Sequence, residues 1–421
     1  MKNKFIAVLS AAGLLACALL LGGCGALSRL LNGSGGLFDS DIPSTKPDTL
    51  ERVNISERTF SFSGYGFDSI DEERLGSLYS DFDKYVNLSY SDEFSVDSDF
   101  TLKDVEEVLY AYRNDHPEVF WLSDTNDFSY YYSGGDLVIK LTFIMEGGEL
   151  IEAKSALNRA VERMVSDAPD NATDYEIELY LNNSLVDEVN YDENGECANR
   201  HNAYGALIEK SAVCDGYSKA FQLLCNRLGI DCIAVDGIAN DFRESTGGHM
   251  WNCVKLDDNW YHIDVTWNDA ESDVYSLRYC YLNLTTEQIS QDHEIGKLFS
   301  EITDDEYSGE ELFNNFVPYC NSSEYNYFMR ECLVLDDMDH GDQIIYAMAN
   351  AAASGKSSFD FIIDDALDFE NTLHSLAQDG YLYEWVDRAN SINGNNPVIS
   401  HDSKIFGIGE RRVVTMNIEY K

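Results

Sequence analysis

One stretch constrains the fold more than any other. Residues 212–230 read AVCDGYSKAFQLLCNRLGI. Apolar residues recur at Tyr217, Ala220, Phe221, Leu224, Cys225 and Leu228, alternating steps of three and one that line one face of an α-helix. Gly229 follows as a C-terminal stop. Counting back, the helix begins at about Cys214 or Asp215. A thiol at that end meets unpaired backbone N–H groups and the positive end of the helix dipole, both of which favour thiolate. The same N–H groups can hold a developing oxyanion. Cys225 lies on the apolar stripe and reads as a small buried hydrophobe. Asp215 opposes a thiolate at Cys214 unless, as a cap, it aims away.

A reactive thiol needs a base, and the chain has eight histidines. His249 opens HMWNCVKL (249–256), which alternates like a strand. Asp257-Asp258 then offers a turn, and NWYHIDVTW (259–267) reads as the returning strand. A two-residue hairpin pairs Leu256 with Asn259, sets Asp264 opposite Trp251, and makes His249 and Asp264 diagonal neighbours on one face. That arrangement lets a carboxylate orient an imidazole. A three-residue turn would send Asp264 to the other face unless a bulge restored it. His262 shares the Asp264 face and is the alternative partner. Asp264 could also simply cap a loop. A helix-start cysteine followed by a histidine strand and an aspartate strand is the order of a papain-like thiol site.

Three strings then carry a family resemblance. They are Ala212-Val213-Cys214-Asp215-Gly216-Tyr217, His249-Met250-Trp251-Asn252, and Trp260-Tyr261-His262-Ile263-Asp264-Val265-Thr266-Trp267. Together they resemble the motifs of the bacterial transglutaminase-like superfamily over roughly residues 170–290. The helix at 174–189 with Tyr191, and Tyr204-Gly205-Ala206-Leu207, resemble it too. The usual His-Ala-Trp-Asn is His-Met-Trp-Asn here, which removes no catalytic group. The resemblance implies an α+β fold: a papain-like transglutaminase core, its nucleophile helix packed on an antiparallel sheet, flanked by small α+β domains. It implies Cys214 as nucleophile, His249 as base and Asp264 as the group that orients it. The expected chemistry is attack on amide bonds of a peptide, protein or cell-wall peptide through a thioester. Water resolves that thioester in a hydrolase, an amine in a transglutaminase. Tyr204 is the candidate second oxyanion donor. No metal or organic cofactor enters this scheme. The rival reading is a non-catalytic surface binding module on the same fold.

The flanks set the context. Lys2 and Lys4 precede an apolar run, 5–21, short for a membrane span, which needs about 20 residues. It ends in Leu21-Gly22-Gly23-Cys24, which resembles the lipobox of bacterial lipoproteins and points to lipidation at Cys24, with the body outside the membrane. Residues 1–23 are therefore expected to be a signal peptide and 24–58 a flexible tether. An N-terminal α+β domain is expected at 59–168, the transglutaminase-like domain at 169–335 and a small α+β domain at 336–421. In the first of these, 104–112 repeats at helical spacing behind a Thr101/Asp104 cap, 120–122, 128–132 and 137–143 read as strands, and 150–166 as a helix. In the last, helix 343–353, strand 358–363, helix 366–392 broken near Gly380, and strand 411–419 are expected. Its Asp336, Asp337, Asp339 and Asp342 do not match the spacing of an EF-hand loop. The eight cysteines beyond Cys24 form no Cys-x-x-Cys, and no Cys/His cluster has zinc spacing. With 29 basic against 75 acidic residues the net charge is −46, which excludes a nucleic-acid binder for want of a basic stripe.

Overall fold

The computed structural model describes residues 6–8 and 51–421, apart from 61–63, 89–92, 98, 124–127, 241–245, 270–274, 297–316 and 339–340. Residues 6–8 form a short strand, β1 (Ile6–Val8). The Leu21-Gly22-Gly23-Cys24 motif, and the expected tether as far as residue 50, lie outside the described residues. The chain divides into two compact units: Thr49–Tyr327, and Phe328–Lys421 together with Met1–Asp48.

The larger unit opens with helices α1 (Tyr65–Ser69), α2 (Glu72–Leu88) and α3 (Leu102–Asp115). α3 begins at the expected cap. Thr101 Oγ1 accepts from the Asp104 N–H, and the Asp104 carboxylate accepts from the Thr101 N–H. Strand β2 (Glu93–Val96) joins the hairpin β3 (Phe128–Ser133) and β4 (Asp136–Leu141) in an antiparallel sheet ordered β2-β4-β3. Residues 120–122, expected as a strand, make only the bridge from Leu122 to Phe143. Two backbone bonds frame this bridge: the Ile144 N–H donates to the Trp121 carbonyl and the Ser123 N–H to the Thr142 carbonyl.

Helices α4 (Gly147–Asp167) and α5 (Asp174–Glu188) follow. α5 buries Ile177, Leu181 and Leu185, the face its spacing predicts. A short parallel pair, β5 (Asn190–Tyr191) and β6 (Ser211–Ala212), leads into α6 (Cys214–Arg227). All six stripe positions of α6, from Tyr217 to Leu228, are at most 1% exposed. Burying a side chain of Phe or Leu size contributes about 1.5–3 kcal/mol, so this stripe decides where the helix sits. Its other face is covered as well. The Ser218 hydroxyl donates to the Met250 carbonyl, the Lys219 ammonium to the His201 carbonyl, and the Gln222 amide to the Asn114 carbonyl. A helix buried all round lies inside a core.

α6 packs on an antiparallel sheet of β7 (Cys232–Asn240), β8 (Thr246–Leu256), β9 (Asn259–Ile263) and β10 (His293–Ile295), ordered β10-β7-β8-β9. The unit is thus α+β, a central helix on an antiparallel sheet. Leu256 pairs with Asn259 across the two-residue turn, with Asp257 at φ 52°. β9 stops at Ile263 instead of running on to 267. The Asp264 carboxylate accepts from the Trp267 N–H and starts a one-turn helix, α7 (Val265–Asn268). A second short helix, α8 (Thr286–Ile289), precedes β10.

The smaller unit holds a five-stranded sheet ordered β1-β13-β14-β12-β11. Its strands are β11 (Leu333–Leu335), β12 (Ser358–Ile363), β13 (Lys404–Ile408) and β14 (Val413–Asn417), with β1 from inside the expected signal peptide on the outer edge. Helices Asp342–Ala353, Phe369–Gln378 and Tyr381–Ile392 cover it. Gly380, at φ 91°, is the expected break between the last two. Asp342 is paired with Arg388, while Asp339 lies outside the described residues.

Candidate active site

Cys214 is the first residue of α6 and half-buried. Its approach is held by backbone bonds: the Val213 N–H donates to the Arg200 carbonyl and the Asp192 N–H to the Ala212 carbonyl. Gly216 makes this possible, since a Cβ there would stand 2.4 Å from the Arg200 oxygen and 2.7 Å from the Ala212 Cβ. Asp215 is drawn to His201, whose Nδ1 lies 3.0 and 2.8 Å from its two carboxylate oxygens. Arg200 Nε donates to His201 Nε2 at 3.1 Å, so the His201 proton is on Nδ1, where it donates to Asp215. The unfavourable charge beside Cys214 is therefore engaged elsewhere.

β8 presents His249 and the end of β9 presents Asp264. His249 Nε2 is 2.7 Å from Asp264 Oδ2, the diagonal contact the hairpin register predicts. Cys214 is the further group that acts on this imidazole. Burial acts to lower the His249 pKa, but the Asp264 charge and hydrogen bond, with Cys214, outweigh it and raise it to about 9. Asp264 is fully buried. Burial pushes its pKa up, yet His249 first and then His293 hold it well below the usual carboxylate range.

His293 was not singled out in the sequence. Its Nε2 lies 3.1 Å from the same Asp264 Oδ2, and its Nδ1 lies 2.6 Å from Asp292 Oδ1. The Tyr281 hydroxyl donates to Asp292 Oδ2 at 2.8 Å. A buried hydrogen-bonded chain thus runs from His249 through Asp264, His293 and Asp292 to Tyr281. Burial lowers the His293 pKa, and the two carboxylates more than reverse this. The rings of Trp251 and Trp267 flank His293 at 4.9 and 4.5 Å between centroids. The one sequence signal for this residue is the Asp292-His293 dipeptide, which has no spacing to the motifs.

His262, the alternative partner, is elsewhere. Its Nδ1 faces Trp251 Nε1 at 3.1 Å and Cys253 Sγ at 3.2 Å, and its Nε2 faces Thr286 Oγ1 at 3.1 Å. The Tyr204 ring packs on Phe120 at 4.9 Å, and its N–H donates to Asn202 Oδ1. Neither contact involves Cys214. Among the described residues, ligating atoms of His249, Asp264 and His293 lie within 4.8 Å of one another. Both imidazoles turn an Nε2 to one carboxylate oxygen and both are held towards their protonated forms, so this set suits protons better than a cation.

Comparison with known proteins places the site in a family context. Residues 159–265 match the model of the transglutaminase-like superfamily. That span contains Cys214, His249 and Asp264 and stops short of Asp292 and His293. Two curated relatives, the kyphoscoliosis peptidases of Mus musculus and Homo sapiens, are each 32% identical over 76 residues. The match takes in 16% of this chain and only 12% of the length of those relatives. Among solved structures, one described as a TGase resembles the chain at 15% identity and a TM-score of 0.25, covering 35% of this chain and 45% of that one. A candidate cysteine protease from Cytophaga hutchinsonii does so at 13% identity and a TM-score of 0.23, covering 34% and 63%.

Proposed function

We propose that the Thr49–Tyr327 unit is a thiol enzyme acting on amide bonds of peptides or proteins through a thioester on Cys214. The observation that carries this reading is the 2.7 Å contact of His249 with the Asp264 carboxylate, on an imidazole that Cys214 also acts upon. In the reaction, Cys214 Sγ attacks the amide carbonyl carbon. His249 takes the thiol proton and returns it to the leaving amine. Asp264 accepts the Nε2–H and so keeps the Nδ1 side of the ring for Cys214. The oxyanion rests on the Cys214 backbone N–H, with Tyr204 as candidate for the further donor. The thioester then passes to water, which makes the enzyme a peptidase or deamidase, and the scheme uses no metal or organic cofactor. The family match over residues 159–265 supports the assignment of these three residues.

The deciding experiment is profiling of the chain against a peptide library, with and without an added primary amine. Hydrolysed products whose yield the amine does not divert support this reading. Amine-capped products in their place make it a transglutaminase, and no turnover in either condition leaves a binding module.

We further propose that lipid on Cys24 holds the enzyme at the extracytoplasmic face of a bacterial membrane. The apolar run 5–21 ending in Leu21-Gly22-Gly23-Cys24 supports this. Replacing Cys24→Ala should release the protein from membranes or block its processing. A variant that is cleaved and sediments with membranes as before overturns the anchor.

A further inference from the structure

Apart from the Cys214 site, the molecule holds a second place where sulfur meets imidazole. Cys253 and Cys320 are 67 positions apart in sequence, yet their Sγ atoms are 3.9 Å apart, in contact. Both are buried, at 0% and 1% exposure. We propose that Cys253 and Cys320 are a redox pair that closes to a disulfide, tying strand β8 to the chain beyond residue 316.

Both backbones are fixed from two sides, so the approach of the thiols is built into the fold. Cys253 lies in the middle of the sheet, opposite Ile233 on β7 and His262 on β9. Cys320 is clamped to the start of α8. Its N–H donates to Thr286 Oγ1 at 2.9 Å, and its carbonyl accepts from the Thr286 N–H at 2.8 Å. A pair held this way loses little freedom on bond formation, and the link removes freedom from the unfolded chain.

The third member, His262, shows why a disulfide fits better than a metal centre. Cys253, His262 and Cys320 offer three ligating atoms within 4.8 Å of one another. The Trp251 indole N–H can only donate, and it donates to His262 Nδ1. The Nδ1 lone pair is therefore in use, and the Nε2–H is left for Thr286 Oγ1. A cation on Nδ1 would strand a buried indole N–H, which costs free energy. It would also want a fourth ligand for the tetrahedral geometry of a structural thiolate site.

The two thiols are unequal, which orders the chemistry. A hydrogen bond from Cys253 and contacts with His262 pull the Cys320 thiol down, against burial, while burial holds Cys253 well above its ordinary value. The oxidant is a low-molecular-weight disulfide, RSSR. Cys320 Sγ attacks one sulfur of RSSR and expels one RS⁻. Cys253 Sγ then attacks the Cys320 sulfur of the mixed disulfide and expels the second. Two protein S–H bonds give one S–S bond. Both electrons go to RSSR, and both protons end on the two RSH released.

The test equilibrates the full chain in buffers of reduced and oxidised glutathione. Free thiols are then blocked with N-ethylmaleimide in denaturant, and unreduced peptides are read by mass spectrometry. The expected result is one linked pair containing Cys253 and Cys320, two hydrogens lighter than its parts, rising with oxidised glutathione and absent in Cys320→Ser. The linked form should melt on the order of 10 °C above the reduced one. Alkylation of both cysteines at the oxidising limit overturns the proposal, as does linkage at other positions such as Cys225 with Cys232. Uptake of one zinc per chain that Cys320→Ser abolishes also overturns it, in favour of a metal centre. None of these outcomes depends on whether Cys214 is a nucleophile.

Discussion

Asp264 Oδ2 serves two imidazoles, and only one of them faces Cys214. This asymmetry sets expectations for single substitutions. His249→Ala removes the group that handles every proton, so acylation of Cys214 should fall below detection. Asp264→Ala should lose on the order of 10⁴ in rate and keep a residue of activity, with the double variant no worse than His249→Ala. His262→Ala should acylate normally once folded, because its ring faces Cys253 and Thr286. Single-turnover acylation by an activated ester measures all four, and loss in His262→Ala with an intact fold would contradict the assignment. The pH profile follows from the raised His249 pKa. The imidazolium, which protonates the leaving amine, persists to about pH 9, so acylation by an amide should decline as pH rises through about 9. Asp264→Asn removes the charge that raises it and should move this limb to lower pH. An unmoved limb would mean that another group titrates there. At this scale the hairpin pair was legible in the sequence, because side chains two apart on facing strands are neighbours by geometry alone. His293 was not, because the pairing of β10 with β7 leaves no local pattern: partners such as His293 and Ala239 lie far apart in the chain.

At the scale of elements, small residues on β7 give the site its room. His249 pairs with Gly237 on one side of β7, and His293 pairs with Ala239 on the other. A Cβ at Gly237 would stand 2.3 Å from the Glu294 carbonyl oxygen and 2.7 Å from the Trp251 ring. Neither neighbour can yield without moving β10 or the indole that flanks His293. Gly237→Ala should therefore cost about 1–3 kcal/mol, seen as a lower denaturant midpoint at unchanged slope. Gly216→Ala, pressed against the Arg200 carbonyl, should cost a similar amount and slow Cys214 alkylation as well. Wild-type midpoints in both variants would show that the backbone gives way more easily than this packing implies. The helices α3, α5 and α6 were legible from spacing and caps. The end of β9 was not, because a side-chain bond from Asp264 to the Trp267 N–H competes with the ladder and wins. The sequence leaves Asp264 open between a strand position and a cap, and the local geometry makes it a cap.

Across the whole molecule, acidity is the dominant trait, and several acids, Glu178 among them, are buried where charge is costly. Glu178, on α5, is fully buried and accepts from the Asn283 amide at 2.6 Å, while its Oε1 has no hydrogen-bond partner among the described residues. Burial raises its pKa from 4.5 to about 8, against the Asn283 hydrogen bond. Between those values the folded chain holds a proton that the unfolded chain has lost, so this group makes stability fall as pH rises from about 4.5 to about 8. Glu178→Gln should be more stable than wild type at pH 8 by on the order of a few kcal/mol, with the advantage gone below about pH 4.5. Urea melts of both proteins across that range measure it, and parallel curves would show that Glu178 is ionised in the fold. The −46 charge spread over the chain was readable from composition and speaks to solubility and partners. The Glu178 site was not readable, because the spacing of α5 marks Ile177, Leu181 and Leu185 as buried and gives no sign that the fold also closes over the neighbouring Glu178.

The proposed chemistry stands or falls on acylation of Cys214 by the action of His249. The most direct measurement is mass spectrometry of the whole chain after a brief pulse with an activated ester at neutral pH, followed by mapping of the acyl group. One acyl group is expected, on the peptide carrying Cys214, that vanishes in His249→Ala and turns over with time in wild type. Acyl groups spread over several cysteines, or an equal yield at Cys214 in His249→Ala, would contradict it.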